Sequence, residues 1–317
     1  MKQLSARWTL CSGVALSIAM LLSCNEGERG DAAVQLQVPV TGSLQNPAWS
    51  PDATQLVFTR FIGGYNAEPA DLMVVDAGTL AVRVLVSDGS ANVNLPGLCW
   101  NGFTNQVVFS SSREPHDEVY AIDADGSPGD EEQVTDRPAH MAYEPSFSPD
   151  GESVVFESHL LDVEDNGVIM RYDLDGSDDY VALTAPEDDS RQPNWSPRGD
   201  RIVYQRLENG QWDLWVMNPD GSDGEQITTG SGDKTDASFS SDGEWIVYSS
   251  DEGGLEFANL FVVPLSGGAG TRVTYSKGYD GAPSWSPDGG RIAFESYPGD
   301  PDDSPGTALW TIQAPSR

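Results

Sequence analysis

Apolar positions along the chain come in short, nearly continuous runs, each closed by Gly, Pro, Asp or Asn. Val154-Val155-Phe156, Ile202-Val203-Tyr204 and Leu214-Trp215-Val216-Met217 are typical. Runs of this length bounded by turn residues predict strands buried on both faces. The runs also recur. Six segments align, beginning at Asn46, Gly97, Glu144, Gln192, Asp236 and Ala282. Each carries a first aromatic (Trp49, Trp100, Phe147, Trp195, Phe239, Trp285) and a second aromatic (Phe58, Phe109, Phe156, Tyr204, Tyr248, Phe294) nine residues later. First aromatics follow one another at 51, 47, 48, 44 and 46 residues, a period that belongs to repeat architectures.

Each period predicts four strands. The first ends at the first aromatic and runs into a Ser-Pro-Asp-Gly type turn, whose residues suit a tight hairpin. The second carries the second aromatic. The third follows a variable loop, as in Leu72-Met73-Val74-Val75 or Leu260-Phe261-Val262-Val263. A second turn, such as the one at Asp173-Leu174-Asp175-Gly176-Ser177, leads to the fourth strand. The sixth period stops after its third strand, and Val34 to Val38 precedes the first period where a fourth strand is due. The expected fold is therefore all-β: a six-bladed β-propeller of four-stranded antiparallel blades, closed by the N-terminal strand completing blade six. It occupies residues 34–317.

The motif Pro-x-Trp-Ser-Pro-Asp-Gly-x-x-Ile-x-Phe, followed by Leu-Trp-Val-Met-Asn-x-Asp-Gly-Ser, resembles the WD40-like repeat of TolB-type periplasmic propellers. Departures are local: the copy Gly97-Leu98-Cys99-Trp100-Asn101 lacks the Pro and Asp, Arg198 replaces Asp, and Ser241 replaces Pro. TolB proper carries an α/β domain ahead of its propeller, whereas a short polar stretch stands in that place here. The resemblance implies the fold and an envelope setting.

The first residues read as a targeting segment. Lys2 and Arg7 precede an apolar run from Trp8 to Leu22, too short for a membrane span and suited to a signal peptide. Leu21-Leu22-Ser23-Cys24 resembles a bacterial lipobox. Residues 1–23 are thus expected to be a lipoprotein signal, Cys24 the lipidated residue, and residues 24–33 a flexible tether. The expected location is the bacterial cell envelope, on the periplasmic side of the outer membrane or at the cell surface, with membrane contact through lipid only.

Charge narrows the partners. The chain has 17 Lys plus Arg against 50 Asp plus Glu, a formal net charge of −33, which excludes nucleic-acid binding. The catalytic motifs of α/β-hydrolases, zincins and P-loop enzymes are absent. Catalytic residues are therefore not assigned, and Cys99 reads as a buried structural thiol. No cofactor is assigned. A divalent cation remains an option because Asp123-Ala124-Asp125 and Asp173 to Asp179 cluster oxygen ligands, although Asp-Gly is also ordinary hairpin chemistry.

The expected role is a monomeric, non-enzymatic scaffold for another envelope protein or an extracellular ligand. The loops between second and third strands vary in length while the first turn does not, so the site is expected on the variable-loop face at the channel mouth. Asn46, Gly97, Glu144, Gln192, Asp236 and Ala282, three before each first aromatic, should enter the channel there. His116, His140 and His159 are expected on the same face. The competing reading is a metal-assisted lyase or hydrolase acting on a glycan, similar to oligogalacturonate-lyase-type propellers.

Overall fold

The computed structural model describes residues 29–87, 93–94, 99–113, 116–161, 163, 166–177, 179–297 and 306–316. Cys24 and Gly97 lie outside the described residues. Six four-stranded antiparallel sheets form the blades of a propeller. The first strand of each blade is innermost: Ser43–Trp49, Val93–Asn94, His140–Phe147, Ser190–Trp195, Lys234–Phe239 and Tyr279–Trp285. The first strands of blades three, four, five, six and one contact one another in turn around the central axis.

The ring closes as the repeat predicts. Val34–Gln35 pairs antiparallel with Ala308–Gln313, placing Val34 opposite Thr311 and Gln35 opposite Trp310. Leu36 N extends the ladder to Leu309 O at 2.9 Å. Blade six therefore takes three strands from the end of the chain and its outer strand from the beginning. That pairing covers an edge which would otherwise present unpaired amides.

Packing between blades uses the second aromatics. Phe58, Phe109, Phe156, Tyr248 and Phe294 are fully buried, each contributing roughly 1.5–3 kcal/mol by leaving water. They sit in apolar clusters that join neighbouring blades, as where Phe109 and Tyr120 of blade two pack with Phe147 and Val154 of blade three. Cys99 lies inside the same cluster, and burial pushes its thiol pKa up.

Two loop systems frame the channel. The Ser-Pro-Asp turns bond themselves: Ser50 Oγ donates to Asp52 at 2.7 Å, and Ser148, Ser240 and Ser286 repeat the contact at 2.6 Å to Asp150, Asp242 and Asp288. The copies that depart from the motif keep the function by other means. Asn101 Oδ1 accepts from Phe103 N at 2.7 Å and Thr104 N at 2.8 Å, and Ser196 Oγ reaches Asp200 at 3.0 Å. Strand direction puts these turns on one face of the disc. The loops between second and third strands and the links between blades fall on the other.

The segment Arg29 to Ala33, read from the sequence as the end of the tether, is docked on the ring. Arg29 bonds Asp280 and Asp31, and Asp31 accepts from Tyr275 N at 2.6 Å.

Candidate functional site

The waist of the channel is built from a bulge repeated in the first strand. Asn46, Glu144, Gln192, Asp236 and Ala282 have φ of 50°, 49°, 51°, 53° and 46°, in the left-handed region. The register with the second strand slips at each of them. A non-glycine residue enters this region at a cost of about 1–2 kcal/mol, so the neighbours must hold it there. Three bulge amides are held by side chains. Asn46 N donates to Glu295 Oε2 at 2.9 Å, Gln192 N to Glu157 Oε2 at 3.0 Å, and Asp236 N to Gln192 Oε1 at 3.0 Å. Gln192 Nε2 also donates to Glu144 Oε1 at 3.2 Å. Gln192 thus links Glu144, Glu157 and Asp236 in one network.

These residues line a cavity of about 40 Å³, room for a water or a single small ion. Lost hydration raises the Glu144 carboxyl well above the usual range, and the charges of Glu157 and Asp236 add to the effect. Burial, with the charge of Asp236, pushes Glu295 up to about 8 despite the opposing hydrogen bond from Asn46 N. At neutral pH the Glu295 carboxyl is therefore largely protonated and can donate a hydrogen bond as well as accept one.

Glu157 and Glu295, which hold the bulge amides of Gln192 and Asn46, directly follow a second aromatic, and their equivalents Thr59, Ser110, Gln205 and Ser249 are buried as well. Sequence reasoning passed over them. Their signal was available, because a polar residue interrupts the apolar run at this place in all six copies.

The three histidines lie at strand ends on the variable-loop side. His140 opens the first strand of blade three opposite Leu160, His159 pairs with Met141, and His116 precedes the third strand of blade two. Their surroundings overlap, since Glu118, the partner of His116, also acts by its charge on His140. His116 Nε2 lies 3.2 Å from Glu118 Oε1, and His159 meets Glu157 while packing edge-on against Tyr143. Burial and then the charge of Arg137 lower the pKa of His140. Among the described residues no group of three or more His, Cys, Asp or Glu is arranged to hold a metal ion. The carboxylates of Asp175 and Asp220 accept amides of their own turns, from Ser177 N at 2.8 Å and Ser222 N at 3.0 Å.

The larger opening is at the other end. On the Ser-Pro-Asp turn face the six first aromatics, Trp49, Trp100, Phe147, Trp195, Phe239 and Trp285, line a funnel of about 210 Å³. Pro51, Pro149, Pro197 and Pro287 form its rim, and Asn, Gly and Ser complete the lining without a charged side chain. Phe103, 82 % exposed, stands in the adjacent turn of blade two. The funnel follows from the repeat itself: a residue that closes the first strand in five blades, and bridges to Val107 as Trp100 in blade two, is carried six times around one axis. The aromatics were read as marks of the repeat, and their convergence went unread.

Known proteins share this fold. Residues aligned with a TolB homolog of Chlorobium luteolum are 31 % identical over 206 residues, covering 65 % of this chain and 42 % of that protein. The Tol-Pal system protein TolB of Gluconobacter oxydans is 36 % identical over 103 residues, 31 % of this chain and 22 % of its own. The chain thus spans less than two thirds of the length of these curated relatives. Among solved structures, TolB from Acinetobacter baumannii superposes with a TM-score of 0.64 at 21 % identity, over 77 % of this chain and 57 % of that one. An oligogalacturonate lyase in complex with manganese gives 0.55 at 18 % identity, over 86 % and 77 %. Likeness at those identities shows the fold alone. The model of the TolB beta propeller domain matches residues 30–212 and 180–300, and the chain belongs to that family.

Proposed function

We propose that the protein is a lipid-anchored envelope propeller that works as a non-enzymatic docking scaffold for another protein, with Cys24 as its anchor. The observation that carries this reading is the uncharged aromatic funnel in a chain of net charge −33. Uncharged, apolar side chains of a partner gain by entering it, and the acidic surround disfavours anionic ones. Polar groups of the partner that pass the funnel meet Asn46, Glu144, Gln192 and Asp236 at the waist. Membership in a family that includes a Tol-Pal system protein supports a bacterial envelope setting and a protein partner.

The glycan-lyase reading draws on likeness of fold to an oligogalacturonate lyase. The net charge of −33, which repels an acidic glycan, favours the scaffold over it. Affinity purification from solubilised envelope tests the choice. Ser241 lies on the funnel lining in a half-exposed turn, so Ser241→Arg should close the funnel while changing stability by about 0.5 kcal/mol or less. A cross-linked partner captured by the native chain and lost with this variant is the expected result. Equal capture by both, or a stoichiometric transition metal in the purified protein, would sink the scaffold reading. Cys24→Ala should move the protein from the membrane fraction to the soluble one, and a variant that stays membrane-bound after a high-salt wash would contradict the anchor.

A further inference from the structure

The start of the described chain is fixed to one side of the disc. Arg29 Nη1 and Nη2 grip Asp280 at 2.9 and 2.8 Å, and Nη1 also donates to Ser296 Oγ at 2.9 Å. The guanidinium lies over the rings of Trp310 and Phe294, 4.7 and 5.4 Å from their centres. Asp280 is 0 % exposed. Arg29 Nε bonds Asp31 at 3.0 Å, Asp31 accepts from Tyr275 N at 2.6 Å, and Gly30 N donates to Tyr275 O at 3.1 Å. A two-pronged Arg-carboxylate pair backed by aromatic faces is among the strongest surface-to-core attachments a side chain makes. The segment is thereby tied both to blade six and to the link that enters it from blade five.

The position of these contacts sets a direction. Asp280 is the second residue of the first strand of blade six and pairs with Ser296, next to last in the second strand. Both belong to the variable-loop side. Tyr275 follows the outer strand of blade five, Thr271–Arg272, on that side as well.

We propose that this clamp turns the lipid anchor into an oriented mount: the bilayer is held against the variable-loop side of blades five and six, and the aromatic funnel opens away from it. The proposal rests on the lipid-anchor reading of Cys24. Five residue steps separate Cys24 from Arg29, a reach of about 18 Å at most. The second strands of the blades run six to eight residues, so the disc is about 20–26 Å deep in its strands alone. An anchor clamped on one side lacks the chain to pass that depth, which leaves the funnel facing away from the lipid and open to a partner.

Fluorophores on single cysteines introduced at Lys277→Cys and Pro287→Cys read the orientation. Both positions are exposed and belong to the same blade boundary, one on the variable-loop side and one on the funnel rim. The lipidated full-length protein is placed in vesicles of phosphatidylethanolamine and phosphatidylglycerol that carry a headgroup quencher. At least threefold stronger quenching at position 277 than at 287 is expected. Lengthening the tether by about twenty Gly and Ser residues between Gly27 and Glu28 adds roughly 25 Å of reach and should erase most of the difference with the clamp intact. Arg29→Ala should narrow it as well. Equal quenching at the two positions, or stronger quenching at 287, in protein that remains bound through Cys24 would overturn the oriented mount and leave the anchor standing. A Cys24→Ala protein still bound to the vesicles would overturn both.

Discussion

The funnel and the waist of the channel are made by the same six copies of one repeat, three residues apart, and they differ in every chemical respect. At the first aromatic every copy places Trp or Phe, and the result is a neutral apolar cone. At the bulge the five described copies place Asn, Glu, Gln, Asp and Ala. The result is a narrow polar ring in which burial raises the pKa of Glu144. A position held constant for packing acquires a surface as soon as symmetry gathers its copies around an axis. A position left free by packing can carry identity. Looking for function only where the repeats differ finds the second kind and overlooks the first.

The comparison breaks most readily at the funnel wall, which belongs to the core as well as to the opening. Trp285 packs with Ile292, Phe294 and Ile312. Trp285→Ala should therefore lower stability by about 3–5 kcal/mol in urea unfolding. A loss below about 1 kcal/mol would mean that the wall is ornamental to the fold and free to serve binding alone.

Proton uptake at the waist gives the next largest effect. The Glu295 carboxyl is pushed up to about 8 from 4.5, so between those values the folded chain keeps a proton that the unfolded chain has released. Stability should fall as pH rises through that window, with Glu295 contributing on the order of a few kcal/mol. Glu295→Gln removes this part of the slope. Urea midpoints at pH about 5 and about 8.5 measure it, and parallel lines for the two proteins would show that the waist does not titrate as described.

A smaller change separates the polar network from the wall. Gln192→Ala strips Glu144 of its amide donor and leaves Asp236 N without its acceptor, which should cost about 1–3 kcal/mol. Partner capture through the funnel should persist in this variant. Loss of capture with an unchanged urea midpoint would move the docking surface from the funnel to the waist.

The blades and their closure were legible because they depend on spacing. Nine residues between aromatics, a turn motif and a missing fourth strand are local facts that a linear reading preserves. Asn46, Glu144, Gln192 and Asp236 were likewise found by counting back from the aromatic. Their hydrogen bonds were not, since Glu157 and Glu295 reach them from the preceding blade. The Arg29 clamp left no mark at all: its partner Asp280 stands 251 residues further along, and a lone Arg in a polar stretch is indistinguishable from a solvated one. The surroundings of the histidines were hidden in a similar way. A residue type with wide chemical scope invites a role, and Glu118 and Glu157 beside His116 and His159 were visible only as charges.

The strand that closes the ring also sets an order of events in time. Val34 is among the first residues of the domain to be made, and Thr311, its partner, is among the last. Among the described strand pairings none joins residues further apart in the chain, and contacts of such separation slow folding. Five blades can assemble as the chain lengthens, but the sixth waits for both ends. Until then the opening strand and the last blade each show an unpaired edge, so the nascent protein is most vulnerable to misassociation just before it is finished.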